Sequence, residues 1–227
     1  MHTHCIRCGQ CCIESSPTLQ RSDVPLVIDG IIEESGLYTI RAGELVRDPV
    51  EKSLIKTGTE LIKIREKPDG QGCIYYEEEK RSCSIYDNRP AQCRAFSCWD
   101  QNEFFTVYEG PKASREDIIG ENILLDLIDK HNAHCGYDKL ERAVMRIEGI
   151  GEKAVLEVLE IIKFDYGLRP LVNERMGVNP KAMDFLLGRP LTETIHMFGL
   201  QIKREHDGSF FLTVSDGLDP SFKTTTS

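Results

Sequence analysis

The chain has 227 residues, 40% of them hydrophobic, enough for one sizeable core or two small ones. Its 37 acidic residues outweigh 28 basic ones for a net charge of −9, and no stretch is basic enough to neutralise a phosphate backbone, which argues against general nucleic-acid affinity. The longest apolar runs, such as Ile123 to Ile128, fall far short of the roughly 20 residues that span a bilayer, so no integral membrane protein is expected.

The opening Met1-His2-Thr3-His4-Cys5 has neither a basic segment followed by an apolar one nor a lipidation box, so the expected location is the cytoplasm. Ser15-Ser16-Pro17 suits a loop, and Ser22 or Asp23 is placed to cap a helix carrying Val24, Val27, Ile28, Ile31 and Ile32, with Gly36 as its stop. From Leu37 to Glu66 the pattern turns extended and leads into the turn Pro68-Asp69-Gly70-Gln71-Gly72, with Cys73-Ile74-Tyr75-Tyr76 expected on the far arm of a hairpin. Asp87 to Phe96 reads as a short helix with Pro90 in its first turn; it would carry Cys93, with Cys98 just past its end.

After Trp99 the composition changes to cysteine-poor amphipathic helix. Ser114, with Asp117 three residues on, starts a helix through Ile118, Ile119, Leu124, Leu125, Leu127 and Ile128, and Gly136 follows its end. Two more helices are expected from Asp138 to Ile147 and from Glu152 to Phe164. A short one is announced by Asn179-Pro180 and ended by Gly188. A hairpin from Leu200 to Glu205 and Phe210 to Val214, turning at His206-Asp207-Gly208, closes the fold ahead of a frayed tail from Thr224. The Phe104, Phe105 and Tyr108 group is read as core, and Glu77-Glu78-Glu79-Lys80-Arg81 as a solvated face.

Nine cysteines are present, eight of them between Cys5 and Cys98, and in a reducing compartment such crowding argues for metal ligation over disulfides. Cys5, Cys8, Cys11 and Cys12 write C-x2-C-x2-C-C. An interval of three lets a short loop wrap a metal centre, with Gly9 relieving the tight turn. The spacing is common to a [4Fe-4S] cubane, completed by a remote cysteine, and to structural zinc, completed by a second pair. Neighbouring residues point to different sides of the backbone, so Cys11 and Cys12 are not expected to ligate one mononuclear ion together. Either one of them serves a second site or the site is polynuclear. Cys73, Cys83, Cys93 and Cys98 stand at intervals of ten, ten and five and would reach a centre through tertiary contact.

Cys5 to Cys12, together with Gly72-Cys73, Cys83-Ser84-Ile85-Tyr86, Arg89-Pro90, Cys93-Arg94-Ala95-Phe96 and Cys98, resembles the YkgJ-like C-x2-C-x2-C-C cysteine-cluster family over residues 1 to about 100. The family's proline before the last cysteine is Ser97 here. The resemblance implies zinc or iron chelation. The same cluster occurs in flagellin lysine N-methylases, where it implies an iron–sulfur cluster and a methyl-transfer role. No Gly-x-Gly-x-Gly loop follows an expected strand to hold S-adenosylmethionine, which weakens that extension.

The candidate metal ligands are therefore Cys5, Cys8, Cys11, Cys12, Cys73, Cys83, Cys93 and Cys98. Cys135 reads as inert or as an exposed thiol, and His2 and His4 as terminal residues. Arg89 and Arg94 flank Cys93, either as hydrogen-bond donors to a negatively charged centre or in surface ion pairs with Glu77, Glu78 or Glu79. Met145 to Ala154 resembles the hairpin of a helix-hairpin-helix module. Arg146 and Lys153 would be the charge partners of a nucleic-acid backbone there, but Glu148, Glu152 and Glu157 surround the same turn.

The expected architecture is α+β: a small cysteine-rich metal-binding domain over 1–100, packed on a mainly helical region over 101–227 with a C-terminal β-hairpin. The expected function is binding of a metal centre, an iron–sulfur cluster ([4Fe-4S]) being favoured over structural zinc, with a redox or protein-modifying role. The alternative is a zinc-stabilised module whose helical half contacts a protein or nucleic-acid partner. Nothing identifies a catalytic group.

Overall fold

The computed structural model describes residues 8–48, 53–68, 70 and 72–215; His2, His4, Cys5, Asp69, Gln71 and the tail from Thr224 lie outside that set. In chain order the elements are α1 (Gln10–Glu14), α2 (Val24–Ile28), β1 (Leu37–Ile40), β2 (Leu45–Arg47), β3 (Leu54–Lys56), β4 (Leu61–Ile64), β5 (Tyr76–Glu77), β6 (Ser82–Cys83), α3 (Ala91–Ala95), α4 (Asn102–Glu109), α5 (Arg115–Ile118), α6 (Asn122–Cys135), α7 (Tyr137–Met145), α8 (Ile147–Ile150), α9 (Glu152–Met176), α10 (Met183–Leu187), α11 (Leu191–Thr194), β7 (Leu200–Arg204) and β8 (Phe210–Val214). Short strands crowd the N-terminal part, helices dominate the second half, and β7 and β8 close the fold as an antiparallel hairpin, so the α+β expectation holds. Among the described residues no helix is long and apolar enough to cross a membrane.

The chain folds as two units, each assembled from separate stretches: 1–41, 60–126 and 179–188 in the first, 42–59, 127–178 and 189–227 in the second. The first unit is built on the antiparallel pair β1–β4, in register Leu37↔Ile64 and Thr39↔Ile62, with Leu37, Thr39, Ile62 and Ile64 all buried. α10 lies on β1, where Thr39 Oγ1 donates to the Phe185 carbonyl at 2.6 Å. Residues 17–21 run beside β4 almost as a third strand. Leu19 N–H donates to Ile62 O, Ile64 N–H to Pro17 O, and on the other side Ala113 N–H donates to Leu19 O. Pairing on both sides satisfies a backbone that burial would otherwise penalise. The Arg115 guanidinium, 3% exposed, is tied to Glu60 and to the Leu186 carbonyl, which compensates the charge it buries.

The core of the second unit joins Cys135, Tyr137, Leu140, Ala143, Val158, Ile161, Ile162, Leu191, Ile195 and Met197. α9 supplies Ala154, Val158, Ile161, Ile162, Asp165 and Val172, a helical stripe on one face.

Several boundaries differ from expectation. The helix at 23 ends at Ile28, because Gly30 takes φ +72° and turns the chain. The Ser114–Asp117 capping box is present, but that helix stops at Ile118 and a new one starts at Asn122, where Gly120 interrupts the run. The expected hairpin forms only briefly: Cys73 bridges Glu66, with Lys67 N–H donating to Gly72 O and Ile74 N–H to Arg65 O, after which Tyr76 pairs with Cys83 instead. The helix carrying Cys93 begins at Ala91, after Pro90. α9 runs through Gly167 and Pro170 to Met176, since buried positions continue to Val172 and outweigh the weak helix formers. Phe104, Phe105 and Tyr108 are half-buried and not core; Phe104 packs edge-on against Phe96 at 5.5 Å.

Candidate metal centre

Two glycines let the first cysteine loop settle onto the second cysteine group. Gly9 has φ +80°, and a Cβ there would fall 2.2 Å from the Tyr76 hydroxyl. Gly72 has φ +86°, and a Cβ there would fall 2.4 Å from the Cys12 carbonyl oxygen and 2.7 Å from Ile13 Cα. Side-chain-free backbone at both points allows α1, with Cys11 and Cys12, to lie directly on residues 72–76. The contact is fastened by Cys73 N–H donating to Cys12 O at 2.7 Å. Cys83 enters through its strand pairing with Tyr76, and Cys93 on α3.

The thiols of Cys11, Cys12, Cys73, Cys83 and Cys93 sense one another's charge. Cys11 and Cys12 share a hydrogen bond. It draws the Cys11 thiol down to about 6 and pushes Cys12 far up, so the pair gives up one proton readily and holds the second. Burial comes first in raising Cys73 to about 11, and it also raises Cys83 and Cys93; neighbouring thiolates add to all three. The group as a whole is therefore held mostly protonated by burial and mutual repulsion. A cation placed among the sulfurs would remove both obstacles. Such a set of soft donors fits zinc or iron.

Arg89 supplies compensating positive charge, lowering Cys11, Cys83 and Cys93. It is held in place by stacking on the Tyr86 ring at 3.8 Å and by donating from Nε to the Tyr86 carbonyl at 2.9 Å. Arg94 donates to the Arg89 carbonyl. The acidic run is occupied elsewhere: Glu77 pairs with Lys80 and Glu78 with Lys67. Of the remaining sequence candidates, Cys8 and Cys98 are exposed, and Cys5 lies outside the described residues.

Among the described residues, one group of three or more ligand-type atoms lies within 4.8 Å of one another: His131, Cys135 and Asp165, all buried, in the second unit. Cys135 is thus not an exposed thiol; it is 0% exposed, with Sγ 3.7 Å from the Ile161 carbonyl. Its partners show a weak sequence signal, His131 and Cys135 being four apart on one helix face and Asp165 interrupting an apolar stripe. The carboxylate of Asp165 is already occupied by His131 Nε2 at 2.8 Å, Arg169 Nη2 at 3.0 Å and Leu191 N–H at 2.9 Å. With a guanidinium bound to the same oxygen, a divalent cation fits poorly. The trio reads better as a hydrogen-bonded tie joining α6, α9 and the start of α11.

The glycine turn at 149–151 does connect α8 to α9. Beside it an open cleft of about 370 Å³ is lined by Lys139, Arg142, Met145, Arg146 and Glu157. Arg142 pairs with Asp138 and Arg146 with Glu157, which reduces the positive field a phosphate backbone would meet.

Residues 4–110 match the family model CxxCxxCC, described as "Putative zinc- or iron-chelating domain". A domain of this chelating type is therefore present at the N-terminal end of the chain. No solved structure matches the chain.

Proposed function

We propose that the first unit is a thiolate metal centre drawing its ligands from Cys5, Cys8, Cys11, Cys12, Cys73, Cys83, Cys93 and Cys98, and that it holds a [4Fe-4S] cluster in preference to structural zinc. What supports this is the gathering of the Cys11, Cys12, Cys73, Cys83 and Cys93 thiols in one electrostatic neighbourhood with Arg89 beside them. Five thiols lie within electrostatic reach of one another, more than one tetrahedral ion uses, although no three of the described ones stand within 4.8 Å, and Cys11 and Cys12 are both among them despite being adjacent in sequence. When bound, an iron–sulfur cluster supplies one-electron redox capacity.

The roles of the chain's own residues follow from their positions. Gly9 and Gly72 admit α1 to the site, β5–β6 and α3 present Cys83 and Cys93, and Arg89 offsets the negative charge of the thiolates. We favour a redox or protein-modifying role in a reducing, cytoplasmic setting. The test is total iron, zinc and acid-labile sulfide on protein purified without oxygen, with a visible spectrum before and after dithionite. Iron and sulfide in about equal amounts, about four each, with absorption that bleaches on reduction, support the reading. A colourless protein holding one or two zinc ions sinks the cluster and favours a zinc-stabilised binding module.

A further inference from the structure

Cys93 sits on a helix of five residues, too short to hold its own position. What holds it is a carboxylate from a different part of the chain. Asp23 is 0% exposed; its Oδ1 accepts the Ala91 N–H at 2.8 Å and its Oδ2 accepts the Gln20 N–H at 2.9 Å. The Arg94 guanidinium stands 3.9 Å from Oδ1. Next along α3, Gln92 Oε1 accepts the Thr18 N–H at 2.9 Å, and Gln92 is 6% exposed. The two residues immediately before Cys93 are thus both bonded to the 18–23 segment. That segment is itself stitched to β4 by Leu19 N–H to Ile62 O and to residues 111–113 by Arg21 N–H to Pro111 O.

Resting on the thiolate-centre reading above, we propose that Asp23 is a positioning residue for that centre: its buried carboxylate locks α3 to the β4 frame and so sets where the Cys93 sulfur stands relative to the other thiols. A carboxylate is suited to this because both its oxygens accept, one for each side of the junction. An amide offers one acceptor and turns a donor toward the other N–H. Asp23→Asn keeps the shape and breaks one side of the link.

The experiment uses the full chain with cobalt(II) alone as the probe, its sulfur-to-cobalt absorption reporting thiolate ligation. Affinity is read by competition with a chelator and the fold by circular dichroism. Asp23→Asn should bind about 10- to 100-fold more weakly, with an altered visible spectrum, in line with losses at residues that orient metal ligands. Thr39→Val removes an equally buried bond of the same unit, one that joins β1 to α10 and touches neither α3 nor Asp23, and should lower stability while leaving cobalt affinity and spectrum as in the wild type. If Asp23→Asn does not fold, Gln92→Met, which removes the Thr18 acceptor, takes its place with the same expectation. Wild-type affinity and spectrum in the variant overturn the proposal, as does an equal loss of affinity in Thr39→Val. A wild-type protein that takes up no thiolate-bound cobalt overturns the underlying metal-centre reading, and the positioning role with it.

Discussion

The backbone N–H of Cys73 donates to the carbonyl oxygen of Cys12 at 2.7 Å, joining two cysteines from distant parts of the chain main chain to main chain. This bond fixes one cysteine-bearing loop on another. The segment carrying Cys11 and Cys12 is thereby held against the one carrying Cys73.

Gly72→Ala should damage both fold and site. The left-handed backbone costs a residue with a side chain roughly 1–3 kcal/mol, and the clash with the Cys12 carbonyl adds to it. Thermal unfolding and metal content should both fall. Gly120→Ala is the contrast, since a Cβ there meets nothing within 4 Å and should change stability by less than about 1 kcal/mol.

Arg89→Gln should weaken metal binding by about 10- to 100-fold in chelator competition, because the thiolates lose the cation that offsets their charge. Arg94→Gln should do less. Its guanidinium is half exposed and donates to a backbone carbonyl.

Cysteine substitutions should separate the two units. Cys93→Ser should abolish or sharply reduce bound metal. Cys135→Ser replaces a large soft sulfur by a smaller hydroxyl at a position that is 0% exposed, so it should cost about 1 kcal/mol or more and leave metal content unchanged.

Asp165 gives the second unit an acid-labile tie. His131 and Arg169 hold its carboxyl at about 2 against burial, which acts to raise it, from an ordinary value of 3.8. The folded state therefore binds fewer protons than the unfolded state between these values. Its contribution is complete above the unfolded value near 3.8 and is lost as pH falls toward about 2. Urea unfolding between pH 5 and pH 2 should show this decline, and Asp165→Asn should flatten it. Asp165→Ala removes the carboxylate that buried His131 and the neighbouring Arg169 share and should cost about 3–5 kcal/mol at neutral pH.

Local chemistry is legible in the sequence at several points, although the stops at Gly30 and Gly120 are not. The Ser114–Asp117 capping box, the Asn179-Pro180 start and the closing hairpin each depend on residues within a few positions of one another, and each formed. Long-range pairing was not readable. β1 chooses β4 as its partner, while β2 and β3 pair with each other in the second unit, and no spacing in the sequence carries that choice. α9 outruns its expected end because burial of Val172 is a tertiary fact, whereas Gly167 and Pro170 are local signals against helix.

The site divides in the same way. The candidate cysteines stand out in the sequence by number and spacing, whereas Asp23 reads there only as a helix cap. Its carboxylate in fact bonds to Ala91, a contact that exists only once α3 is docked. The His131–Asp165 bond was hidden for the same reason, since its two halves lie on different helices.

The most direct test of the thiolate centre is X-ray absorption at the metal edge on full-length protein purified without oxygen. A thiolate-held cluster gives a first shell of sulfur at about 2.3 Å, with iron–iron scattering behind it, and that shell is lost in Cys93→Ser. A first shell of nitrogen and oxygen alone, or a signal unchanged by the substitution, would contradict it.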